Sequence, residues 1–466
     1  MSQIGTAANP LRVAIIGSGP TGFYAADYLL KQKDVTAKVD MYDRLPTPYG
    51  LVRFGVAPDH QKIKSVIKVY ERTASQPNFR FFGNVEFGKD ITLDDLKQYY
   101  HQVIFTTGAE SDRKMGIPGE DLKNSHPATE FVAWYNGHPN YRDHEFDLSQ
   151  ESVAVVGVGN VAMDVARILS KSVEELATTD IADYALEALK HSQVKTIYIL
   201  GRRGPAQAAF TNPEIKELGE LEITDITVPP EEAVLDPLSQ QELDKSQDRT
   251  ILKKVEIIQE YAQRQPYDKP RQLILRFLVS PVELIGDEDG KVKAMRLVKN
   301  ELYETENGTL RPRPTDQFEE IPVGLVFRSV GYRGIPLKGI PFNDRWGVIN
   351  NETGRIIDLE TKKPLTGLYT AGWIKRGPTG IIGTNKPDAV ETVTCMLEDM
   401  ASGNTFSPAH PEVEAVEKFI AERQPKYVSF DDWLKLDELE TSRGKETGRP
   451  RVKLTSTEEI LAALGK

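Results

Sequence analysis

Arg12-Val13-Ala14-Ile15-Ile16-Gly17-Ser18-Gly19-Pro20-Thr21-Gly22 is the stretch that decides the fold. Its first five residues form a short apolar run rich in β-branched side chains, the pattern of a parallel strand buried on both faces. The glycines end that strand. Gly17 permits a tight turn, Gly19 lets backbone approach a pyrophosphate, and Gly22 lets the next helix pack close to the strand. That helix is expected over residues 21–31, burying Ala25, Ala26, Leu29 and Leu30 and turning its positive N-terminal end toward phosphate oxygens. A second strand, expected over residues 38–42, stops at Asp43, 26 residues beyond Gly17. This is the usual kind of separation for the acid that accepts from an adenosine ribose hydroxyl, and a carboxylate there favours a nucleotide without a 2′-phosphate.

Shortly after this unit, residues 49–60 read YGLVRFGVAPDH. Their composition neither binds phosphate nor closes a turn, but they follow a complete dinucleotide unit, which assigns them to a flavin site. From Ser152 a second apolar run, Val153-Ala154-Val155-Val156, enters Gly157-Val158-Gly159-Asn160-Val161-Ala162. The following helix carries Ala162, Val165, Ala166 and Leu169 on one face, and Ala162 is small enough to replace the third glycine. The strand expected over residues 196–200 ends in Gly201-Arg202-Arg203-Gly204 rather than in an acid. Two guanidinium forks suit the doubly charged 2′-phosphate of NADP, which a carboxylate would repel. Two such units imply FAD at the first and NADPH at the second, with hydride passing from nicotinamide to flavin.

A late segment supplies what the first half lacks. Residues 367–372 read as a short strand entering a glycine turn, followed by Trp373-Ile374-Lys375-Arg376-Gly377-Pro378-Thr379-Gly380-Ile381-Ile382 and a helix over residues 388–400. Trp373 stands where many FAD enzymes carry an acid for the ribityl chain. The amides of Gly380, Ile381 and Ile382, near a helix N-terminus, are placed to stabilise negative charge on the flavin edge. The expected fold class is therefore α/β, with two nucleotide-binding three-layer Rossmann-like domains. The FAD domain is discontinuous (residues 1–110 and 333–466) and the NADP domain (111–332) is inserted between its halves.

Bulk properties narrow the class. A chain of 466 residues has ample core for two or three domains, and a formal charge of −11 argues against a general nucleic-acid binder. No apolar stretch approaches the roughly 18 to 20 residues of a membrane span. The first residues have neither the apolar core of a secretory signal nor an Arg-rich transit pattern, and a single cysteine, unable to make an internal disulfide, leads to the expectation of a reducing cytoplasm. One cysteine, Cys395, forms neither an internal disulfide nor a CxxC pair, which removes thioredoxin-reductase-like chemistry and built-in iron–sulfur clusters. No metal site is expected. The region 217–264 reads as an insertion with solvated acidic faces at Glu231-Glu232 and residues 244–248. The tail is expected to carry helices over 412–422 and 456–464, joined by a polar segment over 441–451.

Taken together, YGLVRFGVAPDH, GNVAMDVARIL at 159–169, GRRGPAQAAFT at 201–211 and GWIKRGPTGIIGTNKPDAVET at 372–392 closely resemble the adrenodoxin reductase-like family of NADPH–ferredoxin reductases, nearest to its bacterial branch. The resemblance covers nearly the whole chain from about Leu11. It implies that Gly17, Gly19, Pro20, Thr21 and Gly22 touch FAD phosphates and that Asp43 takes the ribose. It also implies that Leu51 lies against flavin, with Val85 and Phe87, in a strand over residues 84–87, near adenine. Trp373, Gly380, Ile381 and Ile382 would complete that site. For NADPH it points to Gly159, Asn160, Val161 and Ala162 at the pyrophosphate, Arg202 and Arg203 at the 2′-phosphate, and Glu214 and Gly380 near the nicotinamide.

His60 and Glu214 match the polar pair that the family places beside flavin, and Asp164 matches the acid of the GNVAxD motif. The three are the catalytic candidates, although hydride transfer itself requires mainly alignment. Pro213 departs from the family's commoner helix-forming residue and puts the pose of Glu214 in question. The implied activity is that of a ferredoxin–NADP+ reductase, with NADPH giving hydride to FAD and single electrons passing to a ferredoxin-type iron–sulfur protein. That partner is usually acidic, and Lys62, Lys64, Lys68 and Arg376 are expected in a transient electrostatic docking surface. The competing readings are an NADPH diaphorase and a nucleotide-binding redox sensor. The sequence leaves the oligomeric state open.

Overall fold

The computed structural model describes residues 3–410 and 412–466. Strand β1 (Leu11–Ile16) is buried at all six residues. Alternate side chains go to opposite faces, Val13 and Ile15 into one apolar cluster and Ala14 and Ile16 into another, which is why the run is continuously apolar. The chain continues through α1 (Pro20–Leu30), β2 (Ala37–Tyr42), β3 (Phe79–Phe82) and β4 (Gln102–Phe105).

It then crosses to a second sheet through β5 (Ser125–Pro127), β6 (Ser152–Val156), α2 (Asn160–Ser170), β7 (Thr196–Leu200) and α3 (Asn212–Leu218). This excursion continues with β8 (Thr224–Thr227), β9 (Arg271–Arg276), the antiparallel β10 (Val279–Gly286), β11 (Val292–Glu304) and β12 (Leu310–Pro322), and β13 (Leu325–Arg328). The chain returns with β14 (Asn351–Glu352), β15 (Arg355–Ile357), β16 (Pro364–Thr370), α4 (Asn385–Ala401) and α5 (Phe430–Glu446).

The first sheet runs β14-β15-β16-β4-β1-β2-β3, the second β5-β13-β6-β7-β9-β8, and the third β10-β11-β12. In the first, β16 lies parallel to β4 with Leu368 opposite Val103, so the late segment enters the sheet that the N-terminal residues began. Helices cover both faces: α1, α4 and α5 share one apolar cluster, while Leu96, Val416 and Ile420 from other helices fill the opposite one. The second sheet is wholly parallel. Val153 and Val155 of β6 face α2, whereas Ala154 and Val156 face Met295, Leu297 and Ile321 of the antiparallel sheet. Its third layer is thus strands rather than helices. Each fully buried Val, Leu or Ile contributes roughly 1.5–3 kcal/mol relative to exposure.

Three local expectations are corrected. No strand forms over residues 84–87, because Asn84 takes a left-handed conformation (φ 59°) and the amides of Asn84 and Val85 bond the carbonyls of Leu45 and Asp43. Residues 441–446 are not a linker but the end of α5, which a Ser429/Asp432 capping box starts and Phe430, Trp433 and Leu436 anchor at helical spacing. Glu232 is not a solvated acid: it is buried and accepts from Arg276 Nη2 at 2.7 Å and from the Phe277 amide at 2.9 Å. Among the described residues no helix is long and apolar enough to cross a membrane.

Candidate active site

At the end of β1, Gly17 has φ 111°, and a Cβ there would lie 2.7 Å from the Thr106 carbonyl oxygen, so only glycine fits. Gly22 meets the turn so closely that a Cβ would stand 2.3 Å from the Gly17 oxygen. At Gly19, by contrast, an added Cβ would meet nothing within 4 Å. Gly19 caps α1 without a side-chain bond and Pro20 opens it, leaving the helix N-terminus to an outside anion. Asp43 sits beside this turn, its Oδ2 accepting from the Ser18 amide at 2.9 Å and the Ser18 hydroxyl at 2.6 Å, and its Oδ1 from the Leu45 amide.

The YGLVRFG segment lies on this turn. The Tyr49 amide donates to the Ser18 oxygen at 3.0 Å, and a Cβ at Gly50 would stand 3.0 Å from Gly19 Cα. Leu51 remains 44% exposed, while Val85 is buried and Phe87 packs edge-on against Phe105. From the other end of the chain, Gly372 presses on Thr21 so tightly that a Cβ would stand 2.3 Å from its hydroxyl oxygen. Trp373 stacks on Tyr332 and donates to the Thr379 carbonyl at 3.2 Å. Gly380 (φ 81°) and Ile381 are exposed ahead of α4, and Ile382 opens the short turn leading into it. The structure thus brings Gly17 to Gly22, Asp43, Leu51 and Trp373 to one region although hundreds of residues separate them in sequence.

The second turn repeats the first. Gly157 has φ 130°, a Cβ on it would lie 2.2 Å from the Ser329 oxygen, and Gly159 faces open space before α2. Ala162 is fully buried where Gly22 stands in the first turn, and Val161 is half-buried. Asn160 uses its side-chain oxygen to accept from the Thr211 amide at 2.9 Å, which ties the turn to α3. Arg202 is exposed and Arg203 half-buried. Neither forms an ion pair with a described carboxylate, and burial and then the neighbouring Arg202 charge push the Arg203 pKa down. Two like charges held side by side, opposed by the charge of Glu242 but in ion-pair contact with no described carboxylate, suit an anion.

Between the turns lies a buried ionic cluster. Pro213 falls in the first turn of α3, where proline's missing N–H costs nothing, and the helix delivers Glu214 inward. Arg167 of α2 is 1% exposed and donates to Asp59 at 2.8 and 3.1 Å, to Asp164 at 2.7 Å and to Glu214 at 3.0 Å. His60 Nε2 pairs with Glu217 at 2.8 Å, and its Nδ1 lies 3.9 Å from Asp164 and 4.0 Å from Glu214. Burial, then the charge of Asp164, pushes the Glu214 pKa up to about 7. Burial opposes charge on His60, yet the hydrogen bond with Glu217 and the charges of Asp164 and Asp59 raise its pKa against the guanidinium. Burial likewise raises Asp164, whereas Arg167 holds Asp59 low in spite of burial.

His60, Glu214 and Asp164 are therefore together, and the sequence reading missed Arg167, Asp59 and Glu217 around them. The signal was present in the three-residue spacing from Asp164 to Arg167 on one helix face and in Asp59 beside His60. His60, Glu214 and Glu217 also bring ligand atoms within 4.8 Å of one another, but Arg167 already supplies positive charge there. For the docking expectation, Lys62 and Lys68 are exposed and Arg376 is half-buried against Asp388 at 3.3 Å. Lys64 is a correction: it is buried, with its ammonium 2.7 and 2.8 Å from the two oxygens of Asp180, and cannot meet a partner.

Comparison with known proteins gives a consistent picture. Residues 11–198 match the family described as pyridine nucleotide-disulphide oxidoreductase. The chain is 44% identical over 456 residues to the NADPH-ferredoxin reductase FprA of Mycobacterium leprae (strain TN), covering 96% of this chain and 97% of the relative. It is 41% identical over 467 residues to the mitochondrial NADPH:adrenodoxin oxidoreductase of Homo sapiens, covering 97% and 92%. The solved structure of Mycobacterium tuberculosis FprA in complex with NADPH superposes with a TM-score of 0.92 at 43% identity, covering 98% of this chain and all of that one.

Proposed function

The chain belongs to the adrenodoxin reductase-like NADPH–ferredoxin reductases, and from that premise we infer that it carries electrons from NADPH through FAD to a ferredoxin-type iron–sulfur protein. The carrying observation is that one chain holds two glycine turns of the same backbone geometry, only the second of which is followed by two adjacent guanidinium groups in ion-pair contact with no described carboxylate. Open space at Gly19 and Gly159 fits a pyrophosphate at each turn. When bound, FAD supplies a two-electron acceptor for NADPH that yields electrons singly to a one-electron carrier.

In this reading Gly17, Gly19, Pro20, Thr21 and Gly22 cradle the FAD phosphates and Asp43 the ribose. Leu51, Val85, Phe87, Trp373 and the segment Gly380-Ile381-Ile382 complete that site. Gly159, Asn160, Val161 and Ala162 hold the NADPH pyrophosphate, and Arg202 and Arg203 its 2′-phosphate. His60, Asp164 and Glu214 hold and exchange protons beside the nicotinamide, with Arg167 fixing their geometry. The departure of the chain from the first sheet after β4 and its return with β14 to β16 support domain limits of 1–110, 111–332 and 333–466. A cytoplasmic location and transient electrostatic docking complete the proposal.

Anaerobic mixing of the FAD-loaded protein with NADPH and a ferredoxin tests it. Sustained ferredoxin reduction is expected; nucleotide binding without turnover would identify a sensor instead. Rising salt should slow ferredoxin reduction while leaving NADPH–ferricyanide turnover nearly constant, since only docking between proteins depends on exposed charge. Equal salt response in the two assays would remove the docking claim.

A further inference from the structure

His60 does not stand on a packed element. It precedes a helix of only four residues, Gln61–Lys64, which it caps without a side-chain hydrogen bond. Of that helix Lys64 alone is buried. From Asp59 to Ser65 the one apolar side chain, Ile63, is 45% exposed, and Gln61 donates to the Pro58 carbonyl at 2.9 Å, within the same stretch. A helix in water ordinarily owes its place to a packed apolar face. This one has none, so its place comes from charge.

Both ends of the stretch are tied to the second nucleotide unit. At one end Asp59 accepts from Arg167 at 2.8 and 3.1 Å and lies 3.1 Å from Lys171, at the C-terminal end of α2. At the other end the Lys64 ammonium donates to both oxygens of Asp180, at 2.7 and 2.8 Å, with the two side chains 7% and 3% exposed. Asp180 has a firm mount: the Thr179 hydroxyl donates to the Leu176 carbonyl at 2.7 Å, and Leu176, Ile181 and Ala182 lie in the core of the second unit. Lys453 of the tail shares Asp180 at 3.5 Å and donates to the carbonyls of Arg53 and Asn136. Burial lowers the Lys64 pKa and Asp180 opposes that fall, so the ammonium depends on this partner for its charge. Between the two ties stands His60, with Nε2 2.8 Å from Glu217 and Nδ1 4.0 Å from Glu214.

We propose that Lys64 and Asp180 are positioning residues for the step from NADPH to flavin: their buried ion pair holds the His60 stretch against the second unit, in the place where His60 faces Glu214. Neither residue touches nucleotide or flavin. They act through His60 and through the seating of one unit on the other, an inference that rests on the electron-transfer reading above and names what keeps its parts in register.

Lys64→Met tests this, because it cuts the tie while Asp180 keeps Lys453. Two readouts are taken on the flavin-loaded protein. Without NADPH, hydrogen exchange followed by mass spectrometry should show the amides of residues 59–65 exchanging at least about tenfold faster than in the unmutated protein, with those of residues 17–22 unchanged. On anaerobic mixing with NADPH, the limiting rate of flavin bleaching should fall by about tenfold to 100-fold, while the NADPH concentration giving half that rate changes less than about threefold, the mark of misalignment without loss of nucleotide affinity. Lys64→Arg, which keeps the charge, should recover most of the rate. If Lys64→Met does not fold, Asp180→Asn carries the same two expectations; if neither folds, the pair serves the fold as a whole and the positioning claim is overturned. Unchanged exchange, an unchanged limiting rate, or a rate in Lys64→Arg as low as in Lys64→Met would overturn the proposal and leave the electron-transfer reading intact. Unmutated protein that NADPH does not bleach would overturn both.

Discussion

The two glycine turns have nearly the same backbone and opposite electrostatic surroundings. Gly17 and Gly157 both take positive φ, both would collide with a carbonyl oxygen if given a side chain, and both donate to the end of the next strand, at 2.8 Å to Tyr42 and 2.9 Å to Leu200. The strand ends beyond them diverge. Asp43 is already drawn into its turn by Ser18, whereas the guanidinium groups of Arg202 and Arg203 form no ion pair among the described residues, and Arg203 feels Glu242 only through its charge. In the proposed reading the glycine turn is a backbone device indifferent to its nucleotide, and the choice falls to a few side chains at the end of the following strand.

The largest effects should come from removing one turn at a time. Gly17→Val forces a side chain onto the Thr106 carbonyl in a left-handed backbone, and the purified protein should lack the visible flavin spectrum. Gly157→Val should keep the flavin spectrum and lose its response to NADPH. If both variants lost both cofactors, the turns would not be independent. Next in size, Arg202→Ala with Arg203→Ala should lower kcat/KM for NADPH on the order of 100-fold while changing that for NADH little, since each charge-assisted hydrogen bond contributes about 1.5–3 kcal/mol. Equal loss with the two nucleotides would show that the arginines support the fold rather than select the phosphate.

A smaller effect concerns the cluster between the turns. With Glu214 titrating at about 7, its carboxyl is protonated below that pH and charged above it. The NADPH-dependent rate should show an inflection near neutrality that Glu214→Gln, fixed in the uncharged form, shifts, leaving the titration of His60. Because the folded-state pKa is raised, this group's contribution to stability is fully present below the ordinary carboxylate value and is lost as pH rises through about 7. Thermal melts of Glu214→Gln should accordingly lose part of the decline in Tm that the unmutated protein shows over that interval.

Both turns were legible in the sequence because strand, glycine spacing and helix are local and each residue's reason is steric. The pairing of β16 with β4 was legible only in outline, from what the N-terminal half lacked. The absence of a strand over residues 84–87 was not, because Asn84 looks like any polar residue until its backbone conformation is known. The cluster was half legible. His60, Asp164 and Glu214 carried recognisable patterns, while Arg167 carried none of its own, since burial of a guanidinium at 1% exposure follows from three segments meeting and from no one of them. Lys64 misled for the same reason: a lysine among lysines on a short helix reads as surface until Asp180 arrives from a distant turn of the second unit.

The division of labour between the turns is tested most directly by rapid anaerobic mixing of the purified, flavin-loaded protein with NADPH or with NADH. Bleaching of the oxidised flavin band by NADPH, at a rate far above that with NADH, is the predicted result. Equal bleaching by the two nucleotides, or a preference for NADH, would contradict the assignment of the second turn and of the arginine pair that follows it.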